Sequence, residues 1–244
     1  MTNTDTFEVI GGKKLSGSIE PQGAKNEALQ ILCAVILTEE PVVISNIPEI
    51  RDVMMLIELI KDMGVEVEKL SADSYRFCAK NISAAYLETK DFKQKASSLR
   101  GSVMLIGPLL ARIGKAFLPK PGDDKIGRRR LDTHFIGLEK LGADFRFDSK
   151  ESAYHIHSDG LKGCYILMDE ISVTGTANVL MAATMAAGTT QIYNAACEPY
   201  IQQLSKMLNR MGAKISGIGS NMLTILGVDG LGGCSHRMLP DMIE

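Results

Sequence analysis

The amino-acid sequence predicts an inside-out α/β domain built from three helix–strand–helix–strand–strand units, with apolar helices at the centre and sheets around them. Three observations lead there. An apolar helical pattern runs into glycine and then into alternating residues three times, in LIELIKDMGVEVEKL, FIGLEKLGADFRFD and LSKMLNRMGAKISGI. Those glycines, Gly64, Gly142 and Gly212, lie 78 and 70 residues apart. Glycine just past the last apolar position of a helix is the expected left-handed stop. Upstream of each stands another helical stretch that is apolar nearly all round, a pattern that belongs inside a protein. Three matching units in one order point to triplication.

Each unit then reads element by element. The central helix is NEALQILCAVIL from Asn26, RGSVMLIGPLLARI from Arg100 and TANVLMAATMAA from Thr176. A strand follows at 41–47, 115–121 and 189–195, bounded by Pro, Gly and Asn. Next comes the amphipathic helix closed by the glycine, then a strand, a polar turn and a second strand, as in VEVEKLSADSYRFCA. Helices enclosed by sheets invert the usual α/β layering. Residues 21–226 hold the three units. Residues 1–20 and 227–244 fit none of them, and the second stretch ends without a closing element. Both are expected to begin a second domain that is otherwise absent from the chain.

Composition removes several function classes. A chain of 244 residues, 45% hydrophobic and 23% charged, can bury roughly 70–75% of its extended surface without a metal or disulfide staple. With 27 basic against 29 acidic residues the net charge is −2, so neither nucleic acid nor an anionic membrane is attracted in general. Five cysteines, at 33, 78, 164, 197 and 234, form no C-x-x-C pair. A disulfide framework and a zinc site are therefore not expected, and a reducing cytoplasm is. The start MTNTDTFEVIGGKK lacks the order of a signal peptide, and the aliphatic run at 31–37 is too short to span a bilayer.

Affinity for anions must then be local. Between Arg112 and Arg130 stand seven basic residues and two acids, Asp123 and Asp124. The loop PKPGDDKIGRRR reads either as a solvated charge run or as an anion site at the start of a helix. Lys25 in QGAKNEAL and Arg100 in SSLRGSVM stand at the same point of their units, with the hydroxylated SVTGTAN at the third. Two readings stay open for them: caps that snorkel to solvent, or unit tips converging on one anionic ligand.

Gly23-Ala24-Lys25-Asn26, Pro121-Gly122-x-x-x-Ile126-Gly127-x-Arg129, Asp132-x-His134 and Ser172-Val173-Thr174-Gly175-Thr176 together resemble the enolpyruvyltransferases, in particular the UDP-N-acetylglucosamine family. The similarity runs from about Phe7 to Glu244, whereas EPSP synthases carry a basic, serine-rich stretch in place of GAKNEAL. The resemblance implies the EPSP synthase type of fold, with two similar domains closing over the ligands. It implies a 1-carboxyvinyltransferase: the enolpyruvyl group of phosphoenolpyruvate passes to the 3′-hydroxyl of UDP-N-acetylglucosamine and phosphate is released, the first committed step of peptidoglycan synthesis. No metal or organic cofactor is implied.

Residue by residue, the resemblance makes Lys25, Arg100 and Arg129 cationic contacts to phosphoenolpyruvate or the nucleotide phosphates, and gives Asn26 the sugar. Arg129, Arg130, Leu131, Asp132 and Thr133 would line the uracil, and Ser172, Val173 and Thr174 would meet the diphosphate. Asp124 would occupy the catalytic loop position. Many relatives have Gly-Cys where this chain has Asp123-Asp124, Pro at Arg130 and Lys at Glu170. The loop cysteine is what fosfomycin alkylates, so resistance is expected here. Asp124 can donate a proton only if its pKa rises from about 4 toward neutrality. The general base and further arginines belong to the second domain, so this chain alone is expected to be inactive. The rival readings are another enolpyruvyltransferase, a non-catalytic nucleotide-sugar-binding or interaction module, and an RNA-end-processing enzyme. For the last, His134, His155, His157 and His236 offer no nucleotide-linked setting.

Overall fold

The computed structural model describes residues 6–119 and 131–243. The first unit runs α1 (Lys25–Ala34, prolonged by a 3-10 turn at Val35–Leu37), β1 (Val42–Ser45), α2 (Arg51–Asp62), β2 (Glu66–Lys69) and β3 (Tyr75–Cys78). A 3-10 turn at Tyr86–Glu88 and α3 (Lys90–Ser98) lead to the second unit. Its central helix opens as a 3-10 stretch, Arg100–Leu105, and continues as α4 (Ile106–Ile113). Then come β4 (Lys115–Pro119), α5 (Asp132–Lys140), β5 (Asp144–Asp148) and β6 (Ala153–His157), with β7 (Tyr165–Leu167) as connector. The third unit is α6 (Val173–Ala183), β8 (Thr189–Tyr193), α7 (Pro199–Arg210), β9 (Lys214–Ser216) and β10 (Met222–Leu226), followed by β11 (Cys234–Arg237).

The triplication is visible in backbone chemistry. Gly64, Gly142 and Gly212 have φ of 102°, 103° and 104°, a region closed to most side chains. Behind each, the next residue's N–H reaches five residues back: Val65 to Ile60, Ala143 to Leu138 and Ala213 to Leu208, at 3.0–3.1 Å. The glycine N–H itself bonds three back, to Lys61, Glu139 and Asn209. All six residues of those longer bonds are buried, so each helix end pairs its hydrogen-bond closure with an apolar contact. The strands repeat as well. Each unit's last strand lies between its first and second, giving β1-β3-β2, β4-β6-β5 and β8-β10-β9, all antiparallel.

The central helices sit inside as expected. From Gly175 to Ala183 every residue of α6 is buried, and α1 and α4 are buried along most of their length. These helices touch one another and carry the common core.

Two arrangements differ from the sequence reading. The helix expected from Arg100 as one piece is broken, and Asn178 of α6 explains why. Gly107 N–H donates to Asn178 Oδ1 (2.6 Å), and Asn178 Nδ2 donates to Val103 O (2.9 Å). The inserted amide thus takes both ends of the i→i−4 bond a continuous helix would make there. Pro108, lacking an N–H, cannot bond Met104 O either. Gly107 permits this approach, since a Cβ there would lie 2.2 Å from Asn178 O.

The second difference concerns 227–244, which was set apart from the three units. Its β11 pairs in parallel with β1, Val42 opposite Cys234 through Ser45 opposite Arg237. In the same way β7 pairs in parallel with β8. Short strands without alternation hid both. Asn46 and Asn194, left-handed at φ 63° and 61°, each donate at 3.1 Å to the carbonyl of the methionine after the added strand, Met238 and Met168. Residues 6–20 carry no secondary structure, and Phe7, Val9, Ile10, Leu15 and Ile19 are exposed.

Candidate functional site

The site assembles at the N-terminal ends of the central helices and α5, where N–H groups lack partners inside the helix. Ala24, the residue before α1, offers no side-chain cap. A distant residue supplies one: Asp241 Oδ2 accepts from the Lys25 N–H at 3.1 Å. The segment after β11 holds this turn further, through Ala24 N–H to Leu239 O (3.0 Å) and a bridge between Gly23 and Pro240. Beneath it Glu27, fully buried, accepts from Leu239 N–H (3.1 Å) and meets His236 Nε2 at 2.8 Å, while Arg210 donates to His236 Nδ1. Lys25, half-buried, pairs with Asp52 at 2.8 Å, and Asn26 is exposed.

Arg100 starts the 3-10 stretch, half-buried, with Gly101 packed against Leu29 of α1. Across the seam between the second and third units, Leu131 and Asp132 are half-buried at the start of α5 and Thr133 is buried. Thr133 Oγ1 lies 3.3 Å from Glu170 Oε1 and its methyl packs on Gly175. Ser172 caps α6 by accepting from Gly175 N–H at 3.1 Å. Val173 is half-buried and Thr174 exposed, with Thr174 Oγ1 at 3.2 Å from His134 Nε2. His134 itself is buried, and its Nδ1 lies 3.0 Å from Asn178 Nδ2. Burial first, and the Arg100 charge second, push the His134 pKa down from 6.5 to about 4. It is neutral at pH 7.

The structure therefore brings Arg100, Thr133, Ser172 and Thr174 to one region around His134, with Leu131, Asp132 and Val173 on the same two helix starts. Lys25 and Asn26 begin α1, which packs against Arg100–Leu105 through Leu29 and Gly101. Asp124, Arg129 and Arg130 lie outside the described residues. Sequence reasoning gave no role to His134, although the Asp132-x-His134 pair was the available signal. It had none for Asp52, Asn178 or Asp241, which are far from their partners along the chain.

Elsewhere, all five cysteines are free. Cys33 is buried and its thiol is pushed up by desolvation. Cys197 is exposed on the loop before α7. Asp148, Glu151 and His155 have ligand atoms within 4.8 Å of one another, but Glu151 is already bonded to Lys93 (2.9 Å) and His155 (3.1 Å). No helix among the described residues is long and apolar enough to cross a membrane.

The chain is 64% identical over 239 residues to UDP-N-acetylglucosamine 1-carboxyvinyltransferase of Bacteroides thetaiotaomicron, covering 98% of this chain and 55% of that one. Proteins of the same name from Porphyromonas gingivalis and Treponema denticola are 55% and 47% identical, again over 98% of this chain. The chain spans about half the length of the curated relatives it matches. Among solved structures, the enolpyruvyl transferase NikO from Streptomyces tendae superposes with a TM-score of 0.79 at 21% identity, covering 95% of this chain and 53% of that one. EPSP synthase from Acinetobacter baumannii gives 0.71 at 19% identity, covering 93% and 50%. Those two likenesses show the fold. The family model for EPSP synthase (3-phosphoshikimate 1-carboxyvinyltransferase) matches residues 9–244, and the chain belongs to that family of enolpyruvyltransferases.

Proposed function

We propose that this chain is one ligand-facing half of a UDP-N-acetylglucosamine 1-carboxyvinyltransferase, which moves the enolpyruvyl group of phosphoenolpyruvate to the sugar 3′-hydroxyl and releases phosphate. The observation that carries the reading is the 64% identity to a protein of that name over 98% of this chain. Its fit to the unit tips supports it. Lys25 and Arg100 supply cationic contacts to phosphoenolpyruvate or the nucleotide phosphates, Arg129 a third, and Asn26 a hydrogen bond to the sugar. Arg129 to Thr133 line the uracil, and Ser172, Val173 and Thr174 meet the diphosphate with hydroxyls and first-turn N–H groups. Enolpyruvyl transfer needs a proton at the methylene carbon while the hydroxyl oxygen bonds its neighbour, and removal of that proton as the phosphate leaves. Asp124 is assigned to that exchange.

The base for the sugar hydroxyl and further cations are assigned to a second domain outside this chain. The five exposed apolar side chains in residues 6–20 support reading 1–20, with the end of 227–244, as where that domain begins. We place the protein in the cytoplasm, which suits five unpaired cysteines, and in peptidoglycan synthesis. The experiment is calorimetric titration of the chain with UDP-N-acetylglucosamine and with shikimate 3-phosphate. Binding of the former alone is expected, with no phosphate release when phosphoenolpyruvate is added. Preference for shikimate 3-phosphate would favour another enolpyruvyltransferase, and turnover by the chain would overturn the assignment of the missing base.

A further inference from the structure

We infer that His134 is a positioning residue: buried and neutral, it fixes the exposed Thr174 hydroxyl as a hydrogen-bond donor toward an acceptor oxygen of the bound diphosphate. The inference rests on the reading of Ser172–Thr174 given under the proposed function. The Asn178 amide can be oriented without ambiguity. Gly107 N–H needs an acceptor, which must be Oδ1 (2.6 Å), and Val103 O needs a donor, which must be Nδ2 (2.9 Å). A flipped amide would set donor against donor and acceptor against acceptor. The second hydrogen on Nδ2 is then the one facing His134 Nδ1 at 3.0 Å, so Nδ1 accepts and carries no proton.

A neutral imidazole with a bare Nδ1 has its proton on Nε2. That N–H donates to Thr174 Oγ1 at 3.2 Å. With an oxygen lone pair occupied by His134, the Thr174 hydroxyl has its own proton to give elsewhere. It stands at the second residue of α6, exposed, beside the first-turn N–H groups. Gly175 N–H is taken by Ser172 Oγ and Thr176 N–H by Ser172 O, and the helix start with its positive dipole end still suits a phosphate oxygen. An imidazolium would also donate to Oγ1, but it would oppose the Asn178 N–H. Burial and Arg100 both disfavour it. Asn178 thus does two jobs at once, closing the break in the second central helix and setting the state of a histidine that faces the third unit's tip.

Two measurements on the 244-residue chain test this. Long-range proton–nitrogen NMR of the histidine rings reads the tautomer directly. The expected result is a protonated Nε2 and a bare Nδ1 on His134, and a protonated Nδ1 would overturn the inference. Calorimetry with UDP as the probe reads the consequence. Thr174→Val should weaken UDP binding about tenfold, the scale of a lost hydrogen bond to a charged partner. His134→Phe should weaken it to a similar degree, and adding it to Thr174→Val should do nothing more. His134→Gln, whose amide can still donate to Oγ1, should recover most of the affinity. Should His134→Phe not fold, His134→Gln and the tautomer still decide. Wild-type affinity in both folded Thr174→Val and His134→Phe would overturn the inference while leaving the site standing. A wild-type chain that fails to bind UDP would instead count against the proposed function, and the tautomer would then decide the inference alone.

Discussion

The first and third sheets differ from the second in a way that separates scaffold from site. In the outer two, a parallel fourth strand is added beside the unit's first strand, β11 on β1 and β7 on β8. A left-handed asparagine then locks the crossing to the following methionine. Five residues, 46–50 and 194–198, connect to the next helix. In the second sheet β4 has one strand partner among the described residues, β6, and α3 packs there with Phe92 edge-on to Phe117 at 6.3 Å. The residue matching the asparagines is Lys120, and the connection runs from 120 to 131. The threefold pattern is kept where it closes the fold and is broken at the connection that carries Asp124, Arg129 and Arg130. Under the proposed function, the repeat supplies the helix starts that carry Lys25, Arg100 and Ser172, and the departure from it supplies Asp124, Arg129 and Arg130.

The largest expected effect falls on that departure. In the full-length parent, Asp124→Asn should lower phosphate release by about 10²–10⁴-fold if the carboxyl transfers the proton. A drop of under about tenfold would make it a loop-positioning residue instead. The parent should resist fosfomycin, and Asp124→Cys should form an adduct seen by mass spectrometry, since alkylation favours a thiolate near neutral pH over a carboxylate. An adduct on the unaltered parent would refute this.

Next comes the seam between the second and third units. His134 has a folded pKa near 4 against 6.5 unfolded, so the unfolded chain binds the proton first as pH falls. Stability is full above pH 6.5 and should decline by about 3 kcal/mol toward pH 4. Urea melts across that window should show the decline, and His134→Gln should flatten it.

Smaller effects test how equal the three units are. Gly212→Ala has open space and should cost about 1 kcal/mol from its left-handed backbone. Gly64→Ala should cost about 2 kcal/mol more, because its Cβ would lie 2.1 Å from Asn81 O. Equal melting points for the two variants would contradict this. Asn46→Ala and Asn194→Ala should each lose about 1 kcal/mol, with matched shifts in denaturant midpoint.

How much of this the sequence disclosed depends on distance along the chain. The stop glycines and apolar helices are local signals, so all three units were legible, down to Gly64, Gly142 and Gly212. The strands β7 and β11 are three and four residues long and pair with elements that give no local hint. The site residues named from motifs that lie among the described residues fall at the helix starts. Their supports do not show in a motif: Asp241 reaches Lys25 across 216 residues and Asn178 reaches Val103 across 75.

The central claim, that ligand chemistry gathers at the central helix starts and at the second unit's own connection, is most directly tested by amide hydrogen exchange of the chain with and without UDP-N-acetylglucosamine. Protection is expected at Lys25–Asn26, over 129–134 and over 172–178, with no change at the symmetry-related connections 46–50 and 194–198. Protection spread equally over all three connections, or confined to 46–50 and 194–198, would contradict the account.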